Sequence, residues 1–88
     1  MDDITLRNFT LKALKEIIGD VDENTLELKF KQGFKDKVDV YGKFENKNGL
    51  YEFALSFDEK GKVKRSHVNL IMPKDIKDEM ERRTSVDG

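Results

Sequence analysis

The sequence predicts an α+β fold: a single α-β-β-β-β-α domain, a four-stranded antiparallel meander with two helices packed on one face. Three observations predict it. Apolar and polar residues alternate in four short runs between Asn24 and Met72, glycine-bearing turns separate those runs, and a helical apolar period flanks them on both sides. Eighty-eight residues allow one domain and one core. The domain is expected over 1–83, with 84–88 as a frayed tail.

The first helix is expected to begin between Asp3 and Asn8 and to end at Ile18, with Gly19 as the residue that stops it. At 100° per residue, Leu6, Phe9, Ala13, Leu14, Ile17 and Ile18 share one face, with Leu11 on its rim. The loop from Asp20 to Glu23 then leads into a first strand that turns Leu26, Leu28 and Phe30 inward. After Gly33, a second strand places Val38, Val40, Gly42 and Phe44 inward and Asp39, Tyr41, Lys43 and Glu45 outward. Asn46-Lys47-Asn48-Gly49 predicts a hairpin, because asparagine and glycine tolerate the positive φ of such turns.

The third strand alternates Tyr51, Phe53, Leu55 and Phe57 inward, and Asp58-Glu59-Lys60-Gly61 reads as a type I turn with glycine at its exit. In the fourth strand Val68, Leu70 and Met72 alternate inward. Val63 breaks that phase, which predicts a bulge or a late start between Val63 and Ser66. Pro73 suits the first turn of a closing helix, where its missing N–H costs nothing. Ile76 and Met80 give that helix a narrow stripe, and Asp78–Arg82 and Glu79–Arg83 are acid-first pairs one turn apart.

Composition bounds the function. The chain is 40% charged and carries a net −1, where a dedicated nucleic-acid binder has a basic excess. It has no cysteine, which points to a reducing cytoplasm, and Met1-Asp2-Asp3 is acidic where a secretory signal needs positive charge. Its longest apolar run, Leu70-Ile71-Met72, is far too short to span a membrane. No phosphate-binding glycine loop occurs, so no cofactor is expected.

Residues with chemical potential read as surface features. His67 stands alone, and Ser66 beside it points to the other face of the strand, so the two form no nucleophile–base pair. Asp20-x-Asp22-x-Asn24 begins like a calcium loop, yet Thr25 and Lys31 stand where glycine and glutamate would be required, so no metal is expected. Arg82-Arg83-Thr84-Ser85-Val86 fits a basophilic-kinase pattern that recurs by chance.

The meander sorts the charges into two ends. Asp20, Asp22, Glu23, Glu45, Asp75 and Asp78 gather at one, against Lys47, Lys74 and Lys77, leaving −3. Lys31, Lys35, Lys37, Lys60, Lys62 and Lys64 gather at the other, against Asp36, Asp58 and Glu59, leaving +3. Such polarity steers partners. The reading is therefore a small non-enzymatic module that binds another protein and modulates or inhibits it. By analogy with small inhibitors of phages and mobile elements, the acidic end would occupy a basic, DNA-binding surface. Phe34, Leu50 and Ile71 form an apolar set that could instead pack a homodimer. The rival reading is RNA or single-strand binding through the exposed sheet and basic end, using Lys29, Tyr41, Lys43, Lys60, Lys62, Lys64, Arg65 and His67.

Overall fold

The elements follow the expected order: α1 (Asp3–Ile18), β1 (Asp22–Gly33), β2 (Lys37–Asn46), β3 (Gly49–Asp58), β4 (Val63–Pro73) and α2 (Lys74–Val86). The structure is a computed structural model that describes residues 2–86, with side chains through Glu81. The four strands form one antiparallel sheet in the order β1-β2-β3-β4, a meander.

Helix α1 starts where Asp2 caps it, the carboxylate accepting the Thr5 N–H at 2.7 Å. Gly19 ends it with φ +87°, a conformation that needs no Cβ. Leu6, Ala13 and Leu14 bury against the inner sheet face as expected. Between Leu6 and Leu14 on that same face lies Thr10, fully buried, while Ile17, also on it but in the last turn of the helix, is 45% exposed. Val21, placed in a loop by its acidic neighbours, belongs to the core.

The core is Phe44, Phe53, Phe57, Val40 and Leu55 from the sheet and Leu6 and Leu14 from α1, with Leu26 at its margin. Strand β3 follows the strict alternation of its sequence, burying Tyr51, Phe53, Leu55 and Phe57. Gly42 sits across from Leu28, and a side chain there would collide with the Glu27 carbonyl oxygen and the Phe53 ring. The turn at Asp58 is closed by the Gly61 N–H donating to the Asp58 carbonyl at 3.0 Å, with φ +83° at Gly61. In the β2–β3 hairpin, Asn46 faces Gly49 and only Gly49 takes positive φ among the described residues.

Both edge strands carry bulges. In β4 the register slips between the pairs Ser56–Arg65 and Phe57–Val63, leaving Lys64 extra. That bulge is where the phase of Val63 predicts one. A second slip leaves Ile71 extra and pairs Met72 with Leu50, so Met72 turns to the outer face instead of inward. In β1 the register slips between Leu28–Gly42 and Phe30–Tyr41, leaving Lys29 extra. Phe30 therefore turns outward and is 56% exposed, the opposite of its expected direction. A one-residue bulge reverses every side chain beyond it. Lys31 lands on the inner face and meets Asp3 of α1 in an ion pair.

The helices do not share the cover equally. Among the described residues only α1 of the two helices supplies buried ones; Ile76 and Met80 of α2 are 53% and 52% exposed. Helix α2 is anchored at its start, where the Lys74 N–H donates to the Asn48 carbonyl at 2.9 Å. Lys77 then reaches Glu45, on the face opposite α1, at 3.1 Å. The expected packing of both helices on one face is thus reduced to α1 alone, because a two-residue stripe buries too little to hold α2 down. The radius of gyration, 14.8 Å, exceeds the about 12 Å of a compact domain of this length. Helix α2 runs on through Thr84–Val86, within the expected tail; Asp87 and Gly88 lie outside the described residues. No helix among the described residues is long and apolar enough to cross a membrane.

Candidate functional site

Three surfaces collect the charged and aromatic residues: the two ends of the sheet and its uncovered outer face.

At the acidic end, the α1–β1 loop is tied to the β2–β3 turn. Asn46 donates from Nδ2 to the Asp20 carbonyl at 2.9 Å, and the Lys47 N–H donates to the Asp20 carboxylate at 3.3 Å. Thr25 patches a wide bulge in β1: its hydroxyl accepts from the Glu45 N–H and donates to the Asp22 carbonyl, both at 2.7 Å. These ties bring Asp20, Asp22 and Glu45 to the rim of one open concavity of about 500 Å³, with Lys47. Glu23 turns away to Lys15 at 2.7 Å, and that hydrogen bond holds its carboxyl below the usual carboxylate range. Asp75 and Asp78 ride on α2, whose first residue is bonded to the same hairpin. Lys77, absent from the sequence-based site except as a counter-charge, bridges Glu81 at 2.8 Å and Glu45 at 3.1 Å. Those two hydrogen bonds raise its pKa above the ordinary lysine value.

At the basic end, Lys37 faces Asp58 across β2 and β3, so the turns carrying Lys35, Lys60 and Lys62 stand side by side. Asp58 organises the second turn by accepting the Lys60 and Lys62 N–H groups at 2.8 and 2.9 Å. The Lys62 N–H foremost lowers its pKa. Lys37 sits 5.0 Å from the centroid of Phe34, a cation–π contact, and Phe34 remains 47% exposed.

The outer face is a grid. One cross-strand row reads Phe30, Tyr41, Ala54, His67 over all four strands. The row toward the acidic end is Glu27, Lys43, Glu52, Asn69; the row toward the basic end is Gln32, Asp39, Ser56, Arg65. Ser56 donates to Asp39 at 2.6 Å, and the Tyr41 hydroxyl and Asn69 amide both donate to Glu52 at 3.3 Å. Lys29, in the bulge, pairs with Glu27 and lowers its pKa. Phe30, Tyr41, Ala54 and His67 line an open groove of about 610 Å³. Within this groove, Phe30 is the residue whose direction the sequence pattern misplaces. The run Leu26-x-Leu28-x-Phe30 alternates without a break, so no local signal marks the bulge that turns the ring out.

Other candidates separate. Ser66 pairs with Leu55 on the inner phase and His67 with Ala54 on the outer, so the two do point apart. Phe34 lies at the basic end, while Leu50 and Ile71 lie near the acidic end, so that apolar set is not one patch. Among the described residues no group of three or more His, Asp or Glu is arranged to hold a metal ion. The Arg82–Val86 motif and the partners of Asp78 and Glu79 at Arg82 and Arg83 fall where side chains lie outside the described residues. Comparison with family models, with curated proteins and with solved structures finds no match to this chain.

Proposed function

We propose that the protein is a non-enzymatic binding module that docks on another protein through its acidic end, and so modulates or inhibits it. The observation that carries this reading is the convergence of Asp20 and Asp22 with Glu45, from two separate stretches of chain, on one concave rim that Lys47 shares. Rim carboxylates of this kind act mainly on encounter rate and orientation, and a basic surface such as a DNA-binding face is the complementary target. A cysteine-free chain suits a target in the cytoplasm.

The test is capture of the partner from the source cell by the whole protein, with and without nuclease. The partner is expected to survive nuclease, to wash off as salt rises, and to be lost when Asp20→Lys and Asp22→Lys are combined. Neutralising Lys60, Lys62 and Lys64 together should leave it bound. A partner that leaves on nuclease treatment, or that ignores the acidic reversals, contradicts this reading. Exposed Phe30 and Tyr41 beside Arg65 support the second reading, single-stranded RNA on the outer face, for which the lysine variant should fail.

A further inference from the structure

The outer face carries a pattern that its own copy complements. Consider a two-fold axis laid along the strands between β2 and β3, with two outer faces packed together. Such an axis sets β1 of one copy over β4 of the other, and β2 over β3, while each cross-strand row meets the same row. In the aromatic row, Tyr41 of one copy then lies over Ala54 of the other, a large side chain against a small one, and Phe30 lies over His67, ring against ring. In the next row Lys43 of each copy lies over Glu52 of the other, twice by symmetry.

Three further observations favour this arrangement. Among the described residues neither Lys43 nor Glu52 belongs to a salt bridge, although they are cross-strand neighbours. Phe30 and Tyr41 are 56% and 36% exposed, and helix α1 covers only the other face. Both edges of the sheet are bulged, at Lys29 on β1 and at Lys64 and Ile71 on β4, which opposes association edge to edge and leaves the face as the surface open to a copy. Charge on this face is also interleaved, Glu27, Lys43 and Glu52 alternating along one row, which repels a phosphate chain as much as it attracts one.

We infer that the chain forms a two-fold dimer by packing outer sheet face on outer sheet face, with Tyr41 over Ala54 and Lys43 over Glu52 of the second copy. The sheets pack about 10 Å apart with strands within about 30° of alignment. The two acidic ends come to the same end of the pair. The inference stands independently of what those ends bind.

Sedimentation equilibrium of the full chain tests it, over a range of about 0.01 to 1 mM. The unmodified protein is expected to show a monomer–dimer equilibrium. Phe30→Glu, Lys43→Glu and Glu52→Lys, all at non-buried positions, are each expected to weaken association about tenfold or more while keeping the native circular dichroism. Mixing Lys43→Glu with Glu52→Lys should restore the association that each weakens alone, because every facing pair is then opposite in charge. A protein that stays monomeric throughout, a Phe30→Glu variant that dimerises as before, or a mixture that stays monomeric overturns the inference. So does a monomeric protein that binds a single-stranded oligouridylate and loses it on Phe30→Glu, which assigns the face to nucleic acid.

Discussion

The two faces of the sheet are built from the same four strands and do opposite work. The inner face is hydrocarbon at its centre: Phe44, Phe53 and Phe57 are wholly buried, Phe44 stacks on Tyr51 with centroids 5.0 Å apart, and Phe9 of α1 reaches Phe57. The outer face interleaves acids, bases and rings, and nothing in the chain's described core leans on it. Stability therefore resides on one side of the sheet, and the freedom to vary contacts resides on the other. A strand alternates by geometry, so one substitution moved by a single residue passes from the first regime to the second.

Substitutions that break this comparison most strongly lie on the inner face. Phe53→Ala should cost about 3–5 kcal/mol in urea unfolding, as for other fully buried aromatics. The matching outer substitution, Phe30→Ala, should change the stability of dilute protein by no more than about 0.5 kcal/mol. If the two costs were equal, the division between faces would fail. Gly42→Ala should cost about 1–3 kcal/mol, because the new methyl meets the Glu27 carbonyl and the Phe53 ring. Thermal melting would show it, and a neutral result would mean that β1 can shift away.

A smaller effect of opposite sign is expected at Thr10. Its hydroxyl is buried in α1 without a hydrogen-bond partner among the described residues. Thr10→Val removes that orphan group at nearly constant shape and should stabilise the protein by about 1 kcal/mol in the same unfolding assay. Loss of stability would show that the hydroxyl is satisfied in solution.

The smallest effect is acidic. Asp2, Glu23, Glu27 and Asp58 all have carboxyls held below their ordinary values, by the Thr5 N–H, by Lys15, by Lys29 and by the Lys62 N–H respectively. A depressed native pKa means that the unfolded chain binds the proton first. Their stabilisation is present above about pH 4 and is lost as pH falls through the lowered native values. Asp2, Glu23 and Glu27 are exposed and Asp58 is half-buried, so the melting temperature should decline gradually below about pH 4, and Asp58→Asn should flatten that decline slightly.

How much of this was legible in the sequence depends on the element. Strand β3 has no bulge, and its pattern of Tyr51, Phe53, Leu55 and Phe57 could be read directly. Gly19 and Gly61 announce their turns because positive φ has few other occupants. Val63 betrays the bulge at Lys64 by breaking phase, whereas the bulge at Lys29 hides inside an unbroken alternation and sends Phe30 to the wrong face on paper. Met72 was lost the same way. Thr10 sits between Leu6 and Leu14 on the helical stripe, so its burial was legible from position, and only its polarity left it off the apolar face. The charged ends were legible because a meander fixes which turns are neighbours; the turning of Glu23 to Lys15 and of Lys77 to Glu45 depends on side-chain reach and was not.

The division between a stabilising face and an associating face is tested most directly by a dilution series of amide and side-chain NMR spectra. The account predicts concentration-dependent shifts grouped on Phe30, Tyr41, Lys43, Glu52, Ala54 and His67, with Phe44, Phe53 and Phe57 unmoved. Shifts confined to the edges of β1 and β4 or to α1, or no shift at all up to about 1 mM, would contradict it.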